Sequence, residues 1–156
     1  MHFHIVQHSV WLPVMGAISG YALWRGGPPE RLAAAANLAA WLITLLVQNR
    51  RDWFDAQWGI LSVDIVFLGV LVWLALTRNG AWLLFAAAFQ LLGVVTHLAI
   101  VADAKVRSLA YLRSLTIWSY LILAALGVGT LLADRRRRRT APEREVRPPR
   151  WGLRRA

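Results

Sequence analysis

A chain of 156 residues that is 58% hydrophobic carries more apolar side chain than a soluble core of that size can hide from water, so an ordinary soluble domain is excluded and the excess needs lipid. The absence of cysteine removes disulfides, thiolate metal sites, Cys-ligated iron–sulfur clusters and thiol nucleophiles. The formal charge of +10 would suit nucleic acid, but ten of the eighteen basic residues follow the last apolar stretch; there they read first as a topology signal and an attraction for anionic headgroups.

Five apolar stretches, each near the roughly 20 residues that cross about 30 Å of hydrocarbon, predict an all-α transmembrane bundle. The first, over 5–24, is the most polar. It follows Met1-His2-Phe3-His4, which lacks the basic flank of a cleavable signal, so it is expected to be retained and to cross. The alternative is four spans with this helix lying in the interface. It holds Gly16-Ala17-Ile18-Ser19-Gly20, a GxxxG element suited to close packing within the bundle or between two copies. A short break with Gly26, Gly27, Pro28 and Pro29 leads to the second and shortest span, 32–48, whose Asn37, Trp41, Thr44 and Gln48 fall on one stripe.

The third span, 58–77, follows a loop with Arg50, Arg51, Asp52 and Asp55, which reads as a solvated helix junction. It carries Asp64, the one acid within a predicted span. Arg78-Asn79-Gly80 makes the next turn. The fourth span, 81–101, places Gln90 and His97 seven residues apart on one face, and the fifth, 109–132, places Arg113, Thr116 and Tyr120 at i, i+3 and i+7. The tail, 133–156, is rich in Arg and Pro and is expected to be disordered, with Arg135, Arg136, Arg137, Arg138 and Arg139 held by lipid headgroups.

Alternate threading with this basic tail in the cytoplasm puts the N-terminus in the periplasm, and Arg25, Arg31 and Arg78 on the cytoplasmic side. Trp24, Trp53, Trp58 and Trp82 fall at or beside span ends, where amphipathic rings settle at headgroup level. Trp11, Trp41, Trp73 and Trp118 lie deeper and read as packing or lipid-facing bulk.

The same threading sets His8, Asp64, His97 and Arg113, from four different spans, about 5 to 8 Å below the outer interface. Ionisable groups are costly at such a depth, which makes the coincidence the main functional clue. Asp64 is expected to pair with Arg113 or with a protonated His97. The pair could be a structural device that fixes helix register. The second reading is a proton- or substrate-handling site, with Asp64 and His97 as the titrating pair and Arg113 tuning them or holding an anion. A third reading makes His97 or His8 the axial ligand of a haem or chlorin, although bis-His haem sites usually show more intramembrane histidines. No cofactor and no metal site is assigned, and His2, His4 and His8 read as solvated interfacial residues.

Motifs of soluble enzymes are missing: there is no GxSxG, HExxH, Walker loop or GxGxxG, and Gly127-Val128-Gly129 lies inside an apolar span. The stretches Trp58-Gly59-Ile60-Leu61-Ser62-Val63-Asp64, Ala88-Phe89-Gln90-Leu91-Leu92-Gly93-Val94-Val95-Thr96-His97-Leu98-Ala99 and Trp118-Ser119-Tyr120 resemble a group of small bacterial inner-membrane proteins to which no activity is assigned. The resemblance covers about the last three spans and implies a shared membrane core. Seventeen Arg against one Lys fits a bacterial gene of high GC content. The expectation is a non-enzymatic, multi-pass protein of the bacterial inner membrane, working through helix contacts with itself or a larger complex; the alternatives are a small proton-coupled transporter or sensor and a tetrapyrrole-binding protein.

Overall fold

The computed structural model describes the backbone of residues 2–47, 58–102 and 109–140, and the side chains of 11–47, 58–99 and 114–139. Within these residues the chain forms five helices: α1 (His2–Arg25), α2 (Pro28–Val47), α3 (Trp58–Thr77), α4 (Ala81–Ala102) and α5 (Leu109–Thr140). Four of them contain stretches long and apolar enough to cross a membrane, namely Pro28–Val47, Trp58–Thr77, Ala81–Ala99 and Ser114–Arg139, which makes this a multi-pass membrane protein by length and composition. Each helix packs on its neighbour in sequence, and α5 closes the ring against α1.

The turns account for the antiparallel order. Gly26 donates its N–H to the Ala22 carbonyl at 2.9 Å, and a side chain at Gly26 would overlap that oxygen and the Cβ of Glu30, so only glycine allows α2 to fold back this closely. Arg31 N–H to Gly27 O, 3.0 Å, opens α2, and the carboxylate of Glu30 accepts the Gly27 N–H at 2.9 Å. That is half of a capping box, on the positive end of the helix dipole. Pro28 and Pro29 stand in the first turn, where a missing N–H costs nothing. At the next turn α4 starts from Gly80, whose carbonyl accepts from Leu83 N–H at 3.0 Å.

The interior is built from Ala22 of α1, Ala33 and Ala34 of α2, Phe67, Leu71 and Leu74 of α3, Leu83, Ala86 and Ala87 of α4, and Ile122, Ala125 and Leu126 of α5. The outside is apolar too, with Leu46 84% exposed and Leu76 81% exposed. A fold apolar on both sides is stable only where acyl chains cover it.

Three sequence expectations change. Trp24 and Trp58 lie exposed at helix ends as expected, but Trp82 is buried: its indole lies on Gly129, where a Cβ would come within 2.5 Å of the ring, so Gly129 lets α4 and α5 close around it. The GxxxG element of α1 does not pack inside the bundle. Gly16, Ala17 and Gly20 are exposed, and nothing lies within 4 Å of a Cβ built on either glycine. Finally, the last helix does not stop at Leu132 but runs on to Thr140, so the first eight residues of the expected disordered tail are helical. Arginine is a good helix former and the first proline of the tail is Pro142, so nothing breaks the helix sooner. Met1, residues 48–57 with Asp52, Trp53 and Asp55, residues 103–108 and residues 141–156 lie outside the described residues.

Candidate functional site: an intramembrane Asp–Gln–His centre

Asp64 stands in the second turn of α3, and the helix facing it, α4, presents Gln90 and His97 two turns apart on one face. The antiparallel register lets these two straddle the carboxylate. Gln90, only 5% exposed, donates its side-chain N–H to Asp64 Oδ1 at 3.0 Å and to the Asp64 backbone carbonyl at 3.2 Å. His97 Nε2 lies 3.1 Å from Asp64 Oδ2, with 11% of the imidazole and 25% of the carboxylate side chain exposed. Each carboxylate oxygen therefore has its own partner on α4. The amide fixes the carboxylate rotamer and the imidazole takes the other oxygen.

The chemistry follows from that division. An amide donor has no proton to exchange, so Gln90 orients, whereas Asp64 and His97 can both gain and lose one. One proton held between them leaves the pair without net charge, the state a low-dielectric interior tolerates best. With two the pair is cationic, and with none anionic. The group thus holds two proton-exchanging side chains in a fixed geometry.

Open space adjoins it. Gly93 lies between Gln90 and His97 and is buried, yet no atom lies within 4 Å of a Cβ placed there. Register counted from the Trp82–Gly129 contact sets Trp118 of α5 level with Gly93, and the Trp118 indole N–H is buried without a hydrogen-bond partner, as is the amide nitrogen of Asn37 on α2. Buried donors of this kind usually serve a water or a ligand. Sequence reasoning took Trp118 for bulk and gave Gly93 no role; a glycine one turn from a histidine on an apolar helix was the available signal.

The other expected members divide. Tyr120 is half-buried on α5 and makes no hydrogen bond to the trio. The backbones of His8 and Arg113 lie in α1 and α5, while their side chains lie outside the described ones, so the pairing of Asp64 is established for His97 alone. Trp11 and Trp41 meet across α1 and α2 with ring centroids 5.9 Å apart. Among the described residues no three His, Cys, Asp or Glu side chains gather as a metal site.

A second polar cluster, unforeseen in the sequence, closes the end of the bundle where α1 and α3 finish. Asp134, 9% exposed, accepts from Arg138 Nε at 2.9 Å and lies 3.9 Å from Arg25. Arg137 donates to the Gly26 carbonyl at 3.2 Å, and Arg31 donates to that of Trp24 at 3.2 Å. Of the five arginines assigned to headgroups, Arg137 and Arg138 are therefore engaged within the protein. The signal was the i, i+4 spacing of Asp134 and Arg138 in a stretch read as disordered.

Comparison of the chain with protein-family models, with curated proteins and with solved structures finds no match.

Proposed function

We propose that this is a multi-pass bacterial inner-membrane protein without enzymatic activity, whose working element is the Asp64–His97 couple: a small proton-coupled carrier or pH-responsive subunit. The observation that carries the reading is the 3.1 Å contact between an imidazole and a carboxylate inside helices that suit lipid. Ionisable groups in such surroundings are expensive, and they recur where protons or polar solutes are handled. Imidazole and carboxyl groups each take up and release a proton, so two of them in contact offer a path for one. Gln90 holds the carboxylate in place, and the gap beside Gly93 offers room for water. The positive-inside rule puts Arg25, Arg31, Arg78 and the end of α5 in the cytoplasm; α1 is taken as a fifth span, with its N-terminus in the periplasm.

The test is infrared difference spectroscopy of the full chain in vesicles, titrated between about pH 5 and 8. A carboxyl band that appears or vanishes over this range, is absent in Asp64→Asn and is displaced in His97→Gln, is the expected result. A spectrum that does not change with pH in the carboxyl region would sink the reading.

A second reading, an accessory subunit working through helix contacts, is favoured by the outward Gly16–Gly20 face, since small residues let another transmembrane helix approach closely. Gly16→Leu with Gly20→Leu should then abolish self-association or complex formation while the fold survives. An unchanged mass of the solubilised assembly would dismiss it.

A further inference from the structure

The helical continuation of α5 sorts its arginines by face. At 100° per residue Asp134, Arg137 and Arg138 fall on one side of the helix, the side on which Asp134 meets Arg25, Arg137 meets the Gly26 carbonyl and Arg138 bonds back to Asp134. Arg135 and Arg139, one turn apart, share a second stripe, about a third of a turn round the helix, with Ala124, Val128, Leu131 and Leu132. All six of these outward residues are exposed, with Val128 51%, Leu131 47% and Leu132 45% accessible. A single stripe thus passes from apolar to cationic. The face that meets acyl chains is the face that bears the two guanidiniums.

The level of the change can be fixed independently. Arg25 lies beside Asp134, so the end of α1 and residue 134 of α5 share one depth. There Trp24 is 70% exposed, with the Arg25 guanidinium 4.4 Å from its ring centroid, as expected of an aromatic belt. From Asp134 to Arg139 the helix climbs about 7.5 Å, roughly the thickness of one headgroup layer. Arg135 and Arg139 therefore stand within the headgroups of the lipids whose tails cover Val128, Leu131 and Leu132.

We infer that the outward face of α5 is a binding site for an anionic phospholipid, its phosphate held between Arg135 and Arg139 and its tails along Val128, Leu131 and Leu132. Two guanidiniums about one turn apart can fork on one phosphate. The surrounding charge selects the lipid: Arg25, Arg31, Arg78 and Arg135 to Arg139 gather at this end against Glu30 and Asp134, so a headgroup with its own ammonium is repelled and one without is retained. Asp134 and Arg137 have a separate task. Through Arg25 and the Gly26 carbonyl they pin the extension to the α1–α2 turn, and so keep the stripe in register with the membrane.

The experiment is native mass spectrometry of the full chain with phosphatidylglycerol and phosphatidylcholine of matched tails. The unaltered protein should keep phosphatidylglycerol in preference. Arg135→Gln with Arg139→Gln should weaken that lipid by roughly thirtyfold, at about a factor of five to six per headgroup contact. Arg144→Gln with Arg147→Gln, which removes the same charge from the distal tail, should leave it nearly unchanged, and Arg135→Lys with Arg139→Lys should restore part of the loss. Equal retention of the two lipids, or equal losses in the two Gln pairs, would overturn the site.

Discussion

The two polar clusters use the same kinds of side chain under opposite conditions. At the Asp64 centre one carboxylate, one amide and one imidazole meet between α3 and α4, within helices whose other residues are nearly all apolar. At the far end Asp134 lies among arginines, with 43% of the Arg25 side chain and 68% of the Arg138 side chain exposed. In the first cluster one carboxylate serves two side chains of α4 among apolar neighbours, so its loss takes an acceptor from both. The second has redundant cations and solvent, so losing one contact is shared out. The difference teaches that depth in the membrane, more than hydrogen-bond length, sets what a polar contact is worth: Asp64–His97 and Asp134–Arg138 are 3.1 and 2.9 Å apart.

The largest effect should come from breaking the deep cluster on one side only. Asp64→Leu takes from the Gln90 amide and the His97 imidazole the carboxylate they share and should destabilise the bundle by about 3 kcal/mol. Adding His97→Leu should cost less than it does beside an intact Asp64, because the contact between the two side chains is then already gone. A double-mutant cycle in detergent thermal unfolding reads the coupling; strictly additive losses would show that the two side chains are not interdependent.

Asp134→Asn is the matching change in the shallow cluster. Exposed partners and screening limit its cost to about 1 kcal/mol. Its effect should shrink as salt is raised, while that of Asp64→Leu should hold steady. If the two variants respond to salt alike, the contrast between the regions fails. Smallest of all should be Arg137→Gln, which gives up one hydrogen bond to Gly26 at a partly solvated site, an expected loss of about 0.5 kcal/mol by the same unfolding assay.

Much of this was legible in the residues. Helix boundaries of α3 agree with the apolar stretch at both ends, since Trp58 and Thr77 are followed or preceded by strongly polar loops. The common depth of Asp64 and His97 follows from a fixed rise per residue, and the shared face of Gln90 and His97 from the helical period. The choice of partner for Asp64 was not legible. α3 is apolar all round, so no stripe told which way the carboxylate pointed, and His97 and Arg113 were equally eligible by depth.

The amino-acid sequence alone determined that the chain is helical and bound for lipid, where polar groups would be found along each helix, and which end carries the positive charge. These depend on local quantities: hydropathy, the rise of a helix and the position of charge along the chain. Only the tertiary arrangement decided that Asp64 joins Gln90 and His97, that Trp82 turns inward over Gly129, that Gly16 and Gly20 face outward, and that Asp134 draws α5 onto the α1–α2 turn. Rotation about a helix axis is set by what the neighbouring helix offers at the same level, and in lipid, where both faces of a helix can be apolar, hydrophobicity does not reveal it.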